Sequence, residues 1–167
     1  MKKLIILRGP SGSGKSTTAL LVRRRLLESG VEKVAIIPQD VVRREILKEK
    51  DRSMAVNIQM IESMVEFVWS EGYMAIVEGI LDATRYGGML LRIAKKADEY
   101  QAWYFDISFE ETLKRHETKP NAHEYGEKEM REWYQERDLV EGLDERMIGG
   151  EVSQEEIVEL VIESCLS

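Results

Sequence analysis

Short continuous apolar runs alternate along the chain with apolar positions at helical spacing. Leu4 to Leu7 is an unbroken apolar run that stops at Arg8, just before a glycine-rich turn. That is the pattern of a strand buried on both faces. Ala19, Leu20, Val22, Leu26 and Leu27 then fall on or near one face of a helix from about Lys15 to Ser29, closed by Gly30. Lys33 to Ile37, stopped by Pro38, predicts a second strand; Met74 to Val77, ending at Glu78-Gly79, a third; Trp103 to Ile107 a fourth; Met147-Ile148 a short fifth. The stretches between them read as helices: Asp40 to about Lys50, an Asp51-Arg52-Ser53 break offering a cap, then a run to Glu71 carrying Ile58, Ile61, Val65 and Val68. Thr84 to about Ala97 follows, then Phe109 to His116 behind a Ser108 cap, and the charged stretch Glu127 to Asp138. Lys119-Pro120-Asn121 reads as a turn, and Ser153-Gln154-Glu155-Glu156 as a capping box launching a last helix through Val158, Val161 and Ile162. Strands alternating with helices argue for an α/β fold, a parallel sheet with helices on both faces.

A length of 167 residues predicts one domain, 1–167, large enough for its own core. No apolar run approaches the roughly 18–20 residues that span a bilayer. The apolar run after Met1-Lys2-Lys3 ends too soon for a signal peptide. Cys165 is the lone cysteine, so neither an intrachain disulfide nor a thiolate zinc cluster can form, and a reducing cytoplasm is expected. Net charge is −7, from 24 basic and 31 acidic residues, which counts against long nucleic acid as a partner.

The chemistry starts at the first turn. Gly9-Pro10-Ser11-Gly12-Ser13-Gly14-Lys15-Ser16 satisfies G-x-x-x-x-G-K-[ST] in full, between a predicted strand and a predicted helix. The glycines let successive N–H groups turn inward onto phosphate oxygens, and the following helix adds its positive end. With Thr17 continuing the loop into the helix, this segment is the expected ATP site. Lys15 is expected on the β- and γ-phosphates and Ser16 on Mg²⁺. The motif alone names no reaction, because switches, motors and kinases all use it.

The acceptor must be read elsewhere. Asp40, just beyond the second strand, can take a proton from an attacking hydroxyl. Arg43, three residues on, shares its helix face and can hold an anionic group; Arg44 is a weaker candidate. Glu78 ends an apolar strand, where it can hold the metal through water or place the acceptor. Asp82, Thr84 and Arg85 follow at the same edge. Lys114, Arg115 and Lys119 lie past the fourth strand, where a basic lid, around 114–137, would close over the phosphates. Arg131 and Arg137 read as partners of nearby glutamates, His116 and His123 as structural or solvated, and Trp133-Tyr134 as helix packing. No base-reading pattern stands near Ile148-Gly149-Gly150, so poor discrimination between ATP and GTP is expected.

Taken together, these motifs resemble the P-loop kinases related to polynucleotide 5′-kinases, zeta toxins and chloramphenicol phosphotransferase, over about the first 135 residues. Asp40-Val41-Val42-Arg43 is similar to that group's D-x-x-R, in which the Asp is the base and the Arg holds phosphate. Val77-Glu78-Gly79 stands where the group has a strand-end acid. Tyr104 to Arg115 looks like its strand-to-lid passage, ending in the lid arginine; Lys119 stands where a second lid arginine is common. The resemblance implies a P-loop NTPase three-layer sandwich with strand order 2-3-1-4-5. It also implies catalytic roles for Lys15, Asp40 and Arg115. The expected activity is transfer of the ATP γ-phosphate to a small-molecule hydroxyl. A polynucleotide 5′-hydroxyl acceptor and a nucleotide switch with no acceptor are the alternatives; Asp40, the basic lid and the lack of an Asn-Lys pair argue against the switch.

Overall fold

The computed structural model describes residues 1–120 and 122–166. Five strands, β1 (Lys3–Arg8), β2 (Val34–Pro38), β3 (Met74–Gly79), β4 (Glu99–Asp106) and β5 (Glu145–Gly149), form one parallel sheet in the order β2-β3-β1-β4-β5. The helices are α1 (Lys15–Glu28), α2 (Val56–Ser70), α3 (Ala83–Lys96), α4 (Phe109–Glu117), α5 (Glu127–Trp133) and α6 (Gln154–Leu166).

Strand alternation divides β1 between two cores. Leu4 and Ile6 face a cluster with Ile61 and Val65 of α2 and Leu90 and Ile93 of α3. Ile5 and Leu7 face Val22 and Leu26 of α1, Phe105 of β4 and Val161 of α6. Each such buried side chain contributes about 1.5–3 kcal/mol. The sheet is thus the middle layer of three, as the alternation predicts. Strand order reverses at β1, with β3 on one side and β4 on the other, so the carboxyl ends of these strands open a crevice there. No helix among the described residues is long and apolar enough to cross a membrane.

Several boundaries differ from expectation. The helix expected over Asp40–Lys50 is one wide turn, Val41–Ile46. There Leu47 N–H reaches back five residues to Val42 O (3.1 Å), and Glu49 N–H six to Arg43 O (2.9 Å). A positive φ of 50° at Lys48 then ends it. The cap of α2 comes from none of Asp51-Arg52-Ser53. The Glu49 carboxylate accepts from the Val56 and Asn57 N–H groups at 2.8 and 2.9 Å, and these bonds hold it below the usual carboxylate range. α3 begins at Ala83 and is capped by Asp82, which accepts from Arg85 N–H at 3.1 Å. α5 stops at Trp133 rather than Asp138, since the next residues are drawn to other elements. The Tyr134 hydroxyl donates to Ile107 O (2.9 Å), and Asp138 accepts from Ala83 N–H (2.8 Å). Ser108 caps α4 and Ser153 with Glu156 closes the box before α6, both as expected. Asn121 of the predicted turn lies outside the described residues.

Candidate active site

The glycine-rich loop joins β1 to α1 at the crevice. Gly9 has φ +146°, and a Cβ there would stand 2.8 Å from Phe105 Cβ and 2.9 Å from its carbonyl, so only glycine permits β4 to approach. Gly12, at φ +79°, passes so close to α4 that a Cβ would meet Thr112 O at 2.8 Å. The loop is therefore braced by β4 beneath and α4 above. Arg8, fully buried at its root, donates to Leu81 O (3.0 and 2.8 Å), Asp138 O (2.9 Å) and Glu145 Oε1 (2.6 Å). The sequence marks Arg8 only as the end of an apolar run. The structure makes it the tie between β1, β5 and the segment after β3.

Lys15 Nζ donates to Pro10 O (2.7 Å) and Ser13 Oγ (3.2 Å). Burial lowers its pKa to about 8, against the restoring attraction of Glu78. Ser16 Oγ donates to Glu78 Oε1 at 3.0 Å. Burial raises the Glu78 carboxyl above its ordinary range, opposed by Lys15 and by the Ser16 bond. A hydroxyl and a carboxylate side by side at a helix N-terminus are hard oxygen donors. They suit a Mg²⁺ ion that takes its other ligands from phosphate and water. Among the described residues no group of three His, Cys, Asp or Glu is placed to hold a metal ion.

A cleft of about 550 Å³ opens over this loop. Of the predicted residues it brings together Ser11, Gly12, Gly14, Lys15, Ser16, Thr17, Asp40, Arg43, Arg44, Glu78, Asp82, Arg85 and Lys119. Gly9, Pro10 and Ser13 lie buried behind the lining. Asp40 is mostly exposed, with Oδ1 3.1 Å from Arg43 Nη2 and Oδ2 3.4 Å from Arg44 Nη1. Arg43 also donates to Glu49 O at 3.2 Å, which fixes it to the wide turn.

Arg115 lies apart from the cleft lining. Its guanidinium donates to Ser13 O (3.1 Å), Gly150 O (3.3 Å) and Glu111 Oε1 (2.9 Å). It pins α4 to the outer side of the phosphate loop and to the turn before α6. α4 ends at Glu117, and the chain then turns so that Lys119, not Arg115, enters the cleft near Glu78. Burial lowers the Lys119 pKa, with Glu78 opposing. Lys114 and Thr84 are exposed and outside the lining.

Several lining residues carried little or no functional signal in the sequence. Asp51, read as part of a break, forms an ion pair with Arg85 (2.9 Å). The Tyr125 hydroxyl lies 3.2 Å from Ser11 Oγ, and its ring meets Trp133 edge-on at 5.1 Å. Trp133, expected to pack within its helix, lines the cleft, while Tyr134 packs edge-on to Phe109 (5.4 Å). His116 is structural: its ring stacks on Tyr125 (4.6 Å), and Nε2 faces two carbonyls, Tyr125 O at 2.8 Å and Ala122 O at 3.2 Å. That setting requires the proton on Nε2. The adjacent aromatics Trp133-Tyr134 in a charged stretch were the one available signal for Trp133; Asp51 and Tyr125 had none.

No curated protein sequence matches the chain. Among solved structures, the APS kinase of Mycobacterium tuberculosis in complex with AMPPNP and APS superposes with a TM-score of 0.77 at 20% identity, over 99% of this chain and 98% of that chain. A sugar kinase from Janibacter gives 0.68 at 12% identity, over 99% and 95%, and a gluconokinase from Sinorhizobium meliloti 0.62 at 14%, over 98% and 91%. At these identities the likeness establishes the fold, that of P-loop kinases. The sequence model of the adenylylsulphate kinase family matches residues 1–120, a span that takes in the phosphate loop, Asp40, Glu78 and Lys119. The chain belongs to the adenylylsulphate kinase family of P-loop kinases.

Proposed function

We propose that the chain, as one catalytic domain over 1–167, transfers the γ-phosphate of ATP to a hydroxyl of a small molecule. The observation that carries this reading is that Lys15, Ser16, Glu78 and Asp40 line one and the same cleft. A nucleotide switch has no use for a carboxylate on the acceptor side; a kinase does.

The loop N–H groups and the N-terminus of α1 bind the polyphosphate. Lys15 exchanges the Pro10 carbonyl for phosphate oxygens, which supports its charged form. Ser16 and Glu78 would hold Mg²⁺, which when bound offsets negative charge on the β- and γ-phosphates. Asp40, oriented by Arg43 and Arg44, takes the proton of the acceptor hydroxyl as that oxygen bonds to the γ-phosphorus. The bond from the γ-phosphorus to the β–γ bridging oxygen breaks, and ADP leaves. Lys119 supplies positive charge beside the transferring group. Arg115 is assigned a bracing role: it ties the lid, 114–137, to the phosphate loop and to Gly150 on the nucleotide side. The D-x-x-R likeness to polynucleotide 5′-kinases, zeta toxins and chloramphenicol phosphotransferase supports a hydroxyl acceptor. The acidic net charge of −7 disfavours a polynucleotide one. The lone cysteine supports a cytoplasmic setting.

The test is ATP·Mg-dependent formation of a phosphorylated product across nucleosides, sugars, aminoglycosides, chloramphenicol and 5′-hydroxyl oligonucleotides, with Lys15→Ala as control. A product that Lys15→Ala abolishes supports the reading. ATP bound but never passed to any acceptor refutes it.

A further inference from the structure

The acceptor side of the cleft is tied to one buried hydroxyl that does not line it. Tyr86, on α3, is 1% exposed, and its Oη accepts from Gln39 Nε2 at 2.8 Å. The same oxygen lies 2.8 Å from Asp51 Oδ1 and 2.9 Å from Asn57 Oδ1. A phenol carries one proton, so it donates to one of these two oxygens at a time. Burial first, and then the Asp51 carboxylate, raise the Tyr86 pKa well above its ordinary value, so the phenol keeps that proton.

Each of its partners leads to the acceptor side. Gln39 immediately precedes Asp40 and packs on the end of β3, where a Cβ on Gly79 would stand 2.9 Å from Gln39 Cβ. Asn57 Nδ2 donates to Glu49 Oε2 at 3.2 Å, and Glu49 N–H closes the wide turn on Arg43 O at 2.9 Å. Asp51 pairs with Arg85, which lines the same cleft. The turn that carries Asp40, Arg43 and Arg44 is thus tied to Tyr86 at both ends, in front through Gln39 and behind through Asn57 and Glu49. Within the turn Val42 is the buried side chain. Asp40 finds its ion-pair partners, Arg43 and Arg44, on that same turn, so the position of its carboxylate is the position of the turn. None of the three partners of the hydroxyl belongs to the phosphate loop.

Resting on the kinase reading above, we infer that Tyr86 is a positioning residue: its hydroxyl sets where Asp40 meets the acceptor and leaves nucleotide binding alone. It touches neither reactant and acts through the turn. A turn closed by five- and six-residue backbone bonds is a strained element of a kind common at functional sites, and its register depends on what holds its ends. Misplacing a reacting group by about 1 Å can cost ~10²-fold in rate, so loosening this turn bears on transfer far more than on the fold.

Tyr86→Phe removes the hydroxyl alone. The probe is whichever compound wild type phosphorylates fastest in the panel above, with adenylylsulphate added. ATP·Mg affinity in calorimetry should stay within about threefold of wild type, while kcat on the probe falls about tenfold or more. In the Asp40→Asn background the same change should cost less than about threefold, because the group it positions has already lost its role. Amide hydrogen exchange needs no acceptor: it should rise about tenfold over residues 40–49 and stay unchanged over 9–18. Should Tyr86→Phe fail to fold, Gln39→Met cuts the front tie at similar volume and should give the same results. An unchanged kcat, the full kcat loss again in the Asp40→Asn background, weakened ATP binding, or exchange that rises equally in both segments would overturn the inference and leave the kinase reading standing. ATP bound but passed to no acceptor by the wild type would overturn that reading, and this inference with it.

Discussion

Replacing Lys15 by Met should abolish ATP binding and yet stabilise the ligand-free fold at neutral pH. The ammonium is buried against Pro10 O and Ser13 Oγ, and its pKa stands at about 8 instead of 10.5. At about 1.4 kcal/mol per pH unit, keeping it charged costs the folded state about 3 kcal/mol, with the attraction of Glu78 already included. Methionine removes that cost but gives up two hydrogen bonds, each of about 1 kcal/mol. The net expectation is about 1 kcal/mol of stabilisation at pH 7, or a Tm higher by about 2–4 °C for a chain of this size. Its pH dependence is the sharper signature. A lysine whose folded pKa is depressed binds fewer protons folded than unfolded between about 8 and 10.5, so wild-type stability gains from this group as pH rises through that window. The advantage of Lys15→Met should shrink and reverse there, by about 3 kcal/mol in all. Urea unfolding of both proteins at pH 7, 8, 9 and 10 measures it, and ATP·Mg should raise the Tm of the wild type alone. A variant clearly less stable at pH 7, with a difference flat across pH, would refute the picture of a desolvated, stability-limiting lysine.

Two further perturbations address the frame around the site. Arg8→Met should destabilise by about 3–5 kcal/mol, read from the urea midpoint, because it leaves Glu145 buried without its partner and takes donors from Leu81 O and Asp138 O; a loss under about 1 kcal/mol would mean that the tie is replaceable. Glu49→Gln should lower the Tm at pH 7 by weakening the start of α2. Since the Glu49 carboxyl is held below its ordinary 4.5, the contribution is present above that pH and fades as pH falls through the folded value, so the two proteins should converge in acid. A difference that persists unchanged at pH 3 would assign the effect to something other than the carboxylate.

Much of the fold is legible because burial on both faces leaves a plain mark. Leu4–Leu7 and Met74–Val77 are continuous apolar runs, and both are central strands. β4 begins four residues before its apolar run, at Glu99-Tyr100-Gln101, because strand pairing with β1 is a backbone affair and the Gln101 side chain is satisfied by accepting from Trp103 Nε1 and donating to Val161 O of α6. The cap of α2 was illegible for a different reason. Glu49 reaches it across a loop from seven residues away, whereas capping patterns in sequence span three.

At the site, the phosphate loop is readable from its motif, since glycine is obligatory where Phe105 and Thr112 approach. The lid is harder. Arg115 and Lys119 are both basic and four residues apart, and only the end of α4 at Glu117 decides which of them faces the cleft. Asp51 was unreadable, because nothing local indicates that a loop carboxylate will be held by Tyr86 and Arg85, more than thirty residues on.

The central claim is that Asp40 serves an acceptor hydroxyl and not the nucleotide. Asp40→Asn tests it most directly, with ATP affinity measured by calorimetry and turnover measured on the acceptor that the panel favours. The side chain is 59% exposed, so the fold should tolerate the change. ATP affinity should stay within a few-fold of wild type, while phosphoryl transfer falls by about 10²–10⁴, mostly in kcat. Loss of ATP binding together with turnover would make Asp40 a nucleotide or metal residue. Unchanged turnover would pass the role of base to Glu78, and either result would contradict the account.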